Sequence, residues 1–154
     1  MQIKSHLTAA ALASVVAADC FEDMNVYHPD LKQWKDPAYN AAVKKVVEKA
    51  CNDGTLHGDY DGNNNDGKGH KEVAYQIKGH EDMGYVQLQI SRLGKTKRTL
   101  PPAECISGLT KEVRACSWGG LSDYWNWEYI ATPESAQSMK ADMYPMDQIK
   151  DISV

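Results

Sequence analysis

The chain has 154 residues, of which 42% are hydrophobic and 25% charged, and its formal net charge is -4. This composition is typical of one globular domain rather than two. The mild negative charge gives no electrostatic reason to expect a nucleic-acid partner, and no segment approaches the ~18 consecutive apolar residues that a membrane span needs.

The first eighteen residues have the pattern of a secretory signal peptide. Lys4 supplies the positive charge, the run from Leu7 to Val16 is rich in Ala, Leu and Val, and small residues end the segment at Ala18. A short buried helix is the alternative interpretation. We therefore expect a secreted, extracellular protein whose mature chain starts at Asp19. We place a single domain over residues 19–133 and a C-terminal tail over 134–154, with a short helix predicted in the tail.

The four cysteines all follow the predicted cleavage site: Cys20, Cys51, Cys105 and Cys116. An even number in an exported chain predicts two disulfides. Zinc is the competing interpretation, but there is no CxxC pair and the spacings are wide. We expect no metal and no cofactor.

Two segments have the periodicity of amphipathic helices. The first opens at Asp36-Pro37, ends near Cys51, and has Gly54 as its predicted C-cap. The second runs from Pro101-Pro102 to Gly119-Gly120. Their apolar positions repeat at intervals of three and four residues: Tyr39, Val43, Val46, Val47 and Ala50 in the first, and Ile106, Leu109, Val113 and Cys116 in the second.

Three segments alternate with the period of a strand. Residues 73–78 and 85–93 each have one apolar face, as half-buried antiparallel strands do. In the third segment Trp125, Trp127 and Tyr129 alternate with Tyr124, Asn126 and Glu128, so we predict a strand there whose buried face is the first of these two sets. Gly58 to His70 is a polar loop or a wide hairpin tip, and Gly94 to Thr99 is a basic turn.

These elements predict an α+β fold in which two helices pack on one face of an antiparallel sheet, as a two-layer sandwich. Cys105 and Cys116 are about 16 Å apart on a helix that rises 1.5 Å per residue, so they cannot bond to each other. If the two helices are antiparallel, the end of the first meets the start of the second. That arrangement favours Cys51–Cys105, and it leaves Cys20 for Cys116.

The order of these features resembles that of fungal small secreted proteins of the killer-toxin-like type. The resemblance depends on Cys20, on Ala50-Cys51, on the two central strands, on Cys105, on the segment from Ala115 to Gly120 and on the segment from Trp127 to Pro133. It implies an α/β sandwich. It also implies one of several roles, because the class includes antifungal toxins, plant-pathogen effectors and glycan-binding lectins.

Aromatic residues near the end of the second helix are the first candidate site. Flat rings stack on the apolar faces of sugars while neighbouring polar groups bond to the hydroxyls. We therefore predict a ligand-binding site formed by Trp118, which we place at the surface, with Asp123, Tyr124, Asn126 and Glu128. In the alternative interpretation, the Trp-rich strand only fills the core.

Three further patterns are weaker candidates. Asp59 to Gly67 has oxygen side chains at alternate positions, but it lacks the glycine of a calcium loop, and a solvated turn is the preferred interpretation. A small ribonuclease could use Glu72, His57 or His80, and Arg92 or Arg98, although no spacing selects them. The turn Lys95 to Arg98 could contact phosphate or an acidic glycan.

The sequence thus predicts a secreted, effector-like protein that binds a glycan or a cell-surface component of a host or competitor, without catalysis. The alternatives are a small secreted ribonuclease, or an antifungal or membrane-active toxin that uses the basic turn.

Overall fold

The computed structural model describes residues 19–21, 34–62, 69–134 and 149–154. The predicted signal peptide and residues 63–68 of the predicted polar loop lie outside these ranges. Among the described residues, no helix is long and apolar enough to cross a membrane.

Both predicted helices are present. Helix α1 spans Pro37–Asn52 and helix α2 spans Pro102–Ala115. The Asp36 carboxylate accepts a hydrogen bond from the Tyr39 backbone N–H at 2.8 Å, as expected of an N-cap. At the other end of α1, Asp53 rather than Gly54 is the C-cap, and Gly54 follows it with a φ of +90°.

The main sheet has six strands: β1 (Asp19–Cys20), β3 (His70–Ile77), β4 (Tyr85–Arg92), β6 (Gly120–Tyr124), β7 (Trp127–Glu134) and β8 (Ile149–Ile152). Their order across the sheet is β1-β6-β7-β4-β3-β8, and neighbouring strands are antiparallel except for the parallel pair β3 and β8. A short 3-10 helix, Glu81–Met83, joins β3 to β4. Two further strands, β2 (Gly58–Tyr60) and β5 (Arg98–Leu100), pair as a separate ribbon built from segments that we predicted as loop and turn.

The core lies between the helices and one face of the main sheet. The buried residues of both helices form one cluster with alternate residues of the central strands, such as Val86, Leu88 and Ile90 of β4. Helix α2 approaches the sheet closely at Gly108, where an added Cβ would overlap the Tyr129 ring. This is the predicted α+β sandwich.

Both predicted disulfides are confirmed. Cys20 bonds to Cys116 with a Cα–Cα distance of 5.1 Å, and Cys51 bonds to Cys105 with a distance of 5.8 Å. The second bond joins the end of α1 to the start of α2, as antiparallel helices require. The first ties β1 to the end of α2.

Two features of the sheet differ from the prediction. The Trp-rich segment is a hairpin rather than one strand, because β6 ends at Tyr124 and β7 starts at Trp127. Part of the segment that we assigned to the tail belongs to the sheet, since Glu134 ends β7 and Ile149–Ile152 forms β8. The short helix that we predicted in the tail, if it lies within 135–148, falls outside the described residues.

Candidate functional site

The tip of the β6–β7 hairpin is the most unusual surface of the described structure. Trp125 and Asn126 form the two-residue connection, and the Asn126 N–H bonds to the Tyr124 carbonyl at 2.7 Å. Trp125 has a φ of +57°, and no other non-glycine residue among those described has a positive φ. Its side chain is 86% exposed. A large aromatic residue is thus held in a conformation that L residues adopt at some cost.

Arg92, at the end of β4, holds the hairpin tip in place. Its Nη1 donates to the Asn126 carbonyl at 2.8 Å and to the Asn126 Oδ1 at 3.2 Å. Its Nε donates to the Thr96 carbonyl at 3.3 Å. The backbone N–H of the next residue, Leu93, donates to the same Asn126 carbonyl at 2.9 Å. Arg92 is only 5% exposed, so these contacts are a fixed part of the fold. They join the hairpin tip to the basic turn.

Arg92 packs against the Trp127 ring, which in turn contacts the Tyr60 ring. The Arg92 guanidinium carbon lies 5.5 Å from the Trp127 ring centroid, and Trp127 meets Tyr60 edge-on at 5.0 Å. The Lys71 Nζ lies 4.6 Å from the Tyr60 ring centroid and donates to the His57 carbonyl at 2.6 Å. Burial lowers the pKa of the Lys71 ammonium and raises the pKa of the Tyr60 hydroxyl.

The basic turn is only partly neutralised. Lys97 forms an ion pair with Asp59 at 3.0 Å, and the Thr99 hydroxyl donates to the same carboxylate at 2.6 Å. The hydrogen bond from Thr99 and the bond from Lys97 lower the pKa of Asp59, while the bond to Asp59 raises the pKa of Lys97. Lys95 and Arg98 are exposed and have no ion-pair partner among the described residues.

A cleft of about 260 Å³ opens beside the hairpin tip, on the sheet face away from the helices. It is lined by His70, Gln89, Ser91 and Glu128, with Leu93 at the side nearest the tip. His70 pairs with Ser91 and Ser91 pairs with Glu128, so these three residues form a row across three strands. The Gln89 Nε2 donates to the Ser91 Oγ at 3.2 Å. The cleft offers hydroxyl, amide and carboxylate groups to a small polar ligand.

No family model, curated protein or solved structure matches this chain. The resemblance to killer-toxin-like proteins therefore stays a prediction.

Four of the five predicted site residues lie at the hairpin end of β6 and β7, but only Glu128 lines the cleft. Tyr124 packs against the core on the helix-facing side of the sheet. Asp123 lies directly across from Glu128. The Lys111 Nζ lies 3.9 Å from the centroid of the half-buried Tyr124 ring. Asn126 accepts from Arg92, as described above.

The prediction that Trp118 lies at the surface is wrong. It is 5% exposed, and it precedes β6, whereas Tyr124 is at the far end of that strand. Its ring is therefore not open to a ligand in this structure.

Trp125 was assigned to the wrong environment, and Arg92 and Leu93 were not recognised as parts of the site. We placed Trp125 in the core with Trp127 and Tyr129, which are indeed buried, at 1% exposure each. The hairpin turn removes Trp125 from that face. Asn126 was the available signal, because asparagine is common in turns.

The weaker candidates are not assembled into a site. The His80 ring lies 5.5 Å from the Tyr39 ring and precedes β4, whereas Arg92 is at the other end of that strand, which is about 24 Å long at 3.4 Å per residue. The His57 Nδ1 lies 2.6 Å from the Cys51 carbonyl. Within the described ranges, no group of three His, Cys, Asp or Glu residues could hold a metal ion, and residues 63–68 of the candidate calcium loop lie outside them.

Proposed function

We propose that this protein is a secreted, effector-like binding protein that recognises a cell-surface glycan through the tip of the β6–β7 hairpin and the adjoining cleft. The observation that carries the proposal is the 86% exposure of Trp125 at the tip of a hairpin whose residue Glu128 lines a cleft of polar side chains. Secretion is inferred from the N-terminal sequence pattern, and the two disulfides support it.

The chemistry of the site favours a sugar. An exposed indole offers a flat apolar face, and the cleft beside it offers Gln89, Ser91 and Glu128 for hydroxyl groups. The cleft volume of about 260 Å³ lies below the ~300–1,000 Å³ of drug-sized pockets. It therefore suits a terminal sugar or one unit of a chain.

The conformation of Trp125 also supports a binding role. Folding alone gives no reason for a Trp at a left-handed position, where Asn or Gly would cost less. The brace from Arg92 holds that position rigidly, which lowers the entropy lost when a ligand binds. Strain held by a well-packed surrounding is commonly found at ligand sites.

The test is a glycan array followed by fluorescence titration of the binding sugars. The other three tryptophans, Trp34, Trp118 and Trp127, are at most 5% exposed. The solvent-sensitive part of the emission therefore comes from Trp125, and stacking of a sugar should shift or quench it.

We expect saturable binding that Glu128→Gln and Gln89→Ala each weaken severalfold. Glu72→Gln is the matched control, because Glu72 is exposed on the same sheet face but does not line the cleft. An array without a binding glycan, or equal losses in the control and the cleft variants, would contradict the proposal.

A further inference from the structure

The outer seam between the two helices holds a second candidate site, which contacts the β6–β7 hairpin through Lys111, whose Nζ lies 3.9 Å from the Tyr124 ring centroid. Two cavities of about 420 Å³ and 400 Å³ open along this seam, and both are lined by Arg114. We call them together the helix-seam groove. Its charged lining residues are Lys35, Lys44, Lys111, Arg114 and Glu48.

The groove is cationic, because four basic residues face a single carboxylate. The chain as a whole has a net charge of -4, so this positive surface is a local feature. Lys35, Lys44 and Arg114 have no ion-pair partner among the described residues. The Lys111 Nζ lies over the Tyr124 ring, 3.9 Å from its centroid. Like charges that converge without counter-ions repel one another, and an anionic ligand would relieve that repulsion.

Trp34, which lines the cavity of about 420 Å³, has a buried indole N–H without an acceptor. The residue as a whole is only 2% exposed. The rest of the residue is firmly held. Its backbone N–H donates to the Ser117 carbonyl at 2.8 Å, and its carbonyl accepts from the Asn40 side chain at 3.1 Å. Buried indole N–H groups ordinarily find a partner. A ligand in the cavity that Trp34 lines would change the surroundings of this N–H group.

We propose that the helix-seam groove binds an acidic polysaccharide through its carboxylate groups. Cations spread along two helices match a linear polymer with a charge on each unit, and the Ser107 and Thr110 hydroxyls can bond to its sugar hydroxyls. A single-stranded nucleic acid fits less well, because such sites stack bases on exposed aromatic rings. Among the groove-lining residues the aromatic one is the buried Trp34. This proposal does not depend on the one made for the hairpin tip.

The probe is an oligogalacturonate, and its methyl ester is the matched neutral ligand. We expect the free acid to bind, to weaken as NaCl is raised, and to bind far more tightly than the ester. Arg114→Glu and Lys44→Glu should each weaken binding about tenfold or more, since each removes a charged contact. Lys45→Glu makes the same charge change on α1 outside the groove, and it should change the affinity less than about twofold.

The indole N–H of Trp34 gives an independent readout. In a ¹H–¹⁵N spectrum its resonance should move on addition of the oligogalacturonate, and Trp34→Phe assigns it. Equal binding of the ester would overturn the proposal, as would equal losses in Lys45→Glu and Lys44→Glu, or an unmoved Trp34 resonance at saturation. Tighter binding of a single-stranded oligonucleotide of equal charge would overturn the choice of polysaccharide. A Trp125→Asn variant should bind the oligogalacturonate normally.

Discussion

Replacing Arg92 by lysine tests whether the guanidinium holds the hairpin tip to the basic turn. Lysine keeps the positive charge, but it loses the planar set of donors that reaches two chain segments at once. Arg92 donates to Asn126 at 2.8 and 3.2 Å and to the Thr96 carbonyl at 3.3 Å. A second contact with Thr96, through its Oγ1, is longer, at 3.5 Å.

The expected loss follows from these contacts. A hydrogen bond to a charged group contributes roughly 1.5–3 kcal/mol. Because Arg92 is only 5% exposed, water does not freely replace a hydrogen bond that the substitution removes. A lysine ammonium can retain either the contact with Asn126 or the contact with the Thr96 carbonyl. We therefore expect Arg92→Lys to lower the free energy of unfolding by about 2–4 kcal/mol.

Urea unfolding followed by circular dichroism, with both disulfides intact, measures this difference. Arg98→Lys is the matched control, since Arg98 is exposed and unpaired in the described structure. It should change the free energy of unfolding by no more than about 0.5 kcal/mol. The bracing role of Arg92 would be refuted if Arg92→Lys were as stable as the wild type, or if both variants lost the same amount.

Three further predictions concern the scaffold. Burial raises the pKa of Glu112, whose side chain is fully buried. Its contribution to stability is therefore full below the unfolded-state pKa and is lost as pH rises through the folded-state pKa, so Glu112→Gln should stabilise the protein at pH 7 and not at pH 4 in thermal melts. Replacing Cys51 and Cys105 together by alanine opens a loop with a sequence separation of 54 and should cost about 4 kcal/mol in urea unfolding. Gly108→Ala should cost about 1–3 kcal/mol because its methyl group meets the Tyr129 ring; an unchanged melting temperature would show that the helix can shift away.

Much of the scaffold could be predicted from periodicity. The apolar stripes of α1 and α2 identify the two helices because a helix that packs on a sheet must bury one side. The disulfide pairing then followed from helix geometry, which excludes Cys105–Cys116 and places Cys51 beside Cys105. Periodicity does not predict which strands pair when they are far apart in the chain. The parallel strand Ile149–Ile152 joins β3 from a distant part of the chain, and neither segment indicates the other.

The candidate site was harder to predict because a turn changes the face of the sheet on which the neighbouring side chains lie. Alternation placed Trp125 with Trp127, but the two-residue connection interrupts the alternation, and Trp-Asn is not one of the usual hairpin sequences. Trp118 follows α2 and looked exposed, yet the approach of Gly119 to Ala131 places it against the sheet. Arg92 occupies an inward position on β4, where a charged residue is not expected until its partners are known.

The most direct test of the proposed function is to measure glycan affinity and unfolding free energy together in Trp125→Asn. Asparagine tolerates the left-handed conformation that Trp125 adopts at a φ of +57°, so the variant should be as stable as the wild type or up to about 1 kcal/mol more stable. It should nevertheless lose binding to the glycans that the wild type recognises. Val154→Asn changes an exposed hydrophobic residue at the other end of the chain and should change neither quantity. A Trp125→Asn protein that binds glycans with undiminished affinity would contradict the assignment of the site to the hairpin tip.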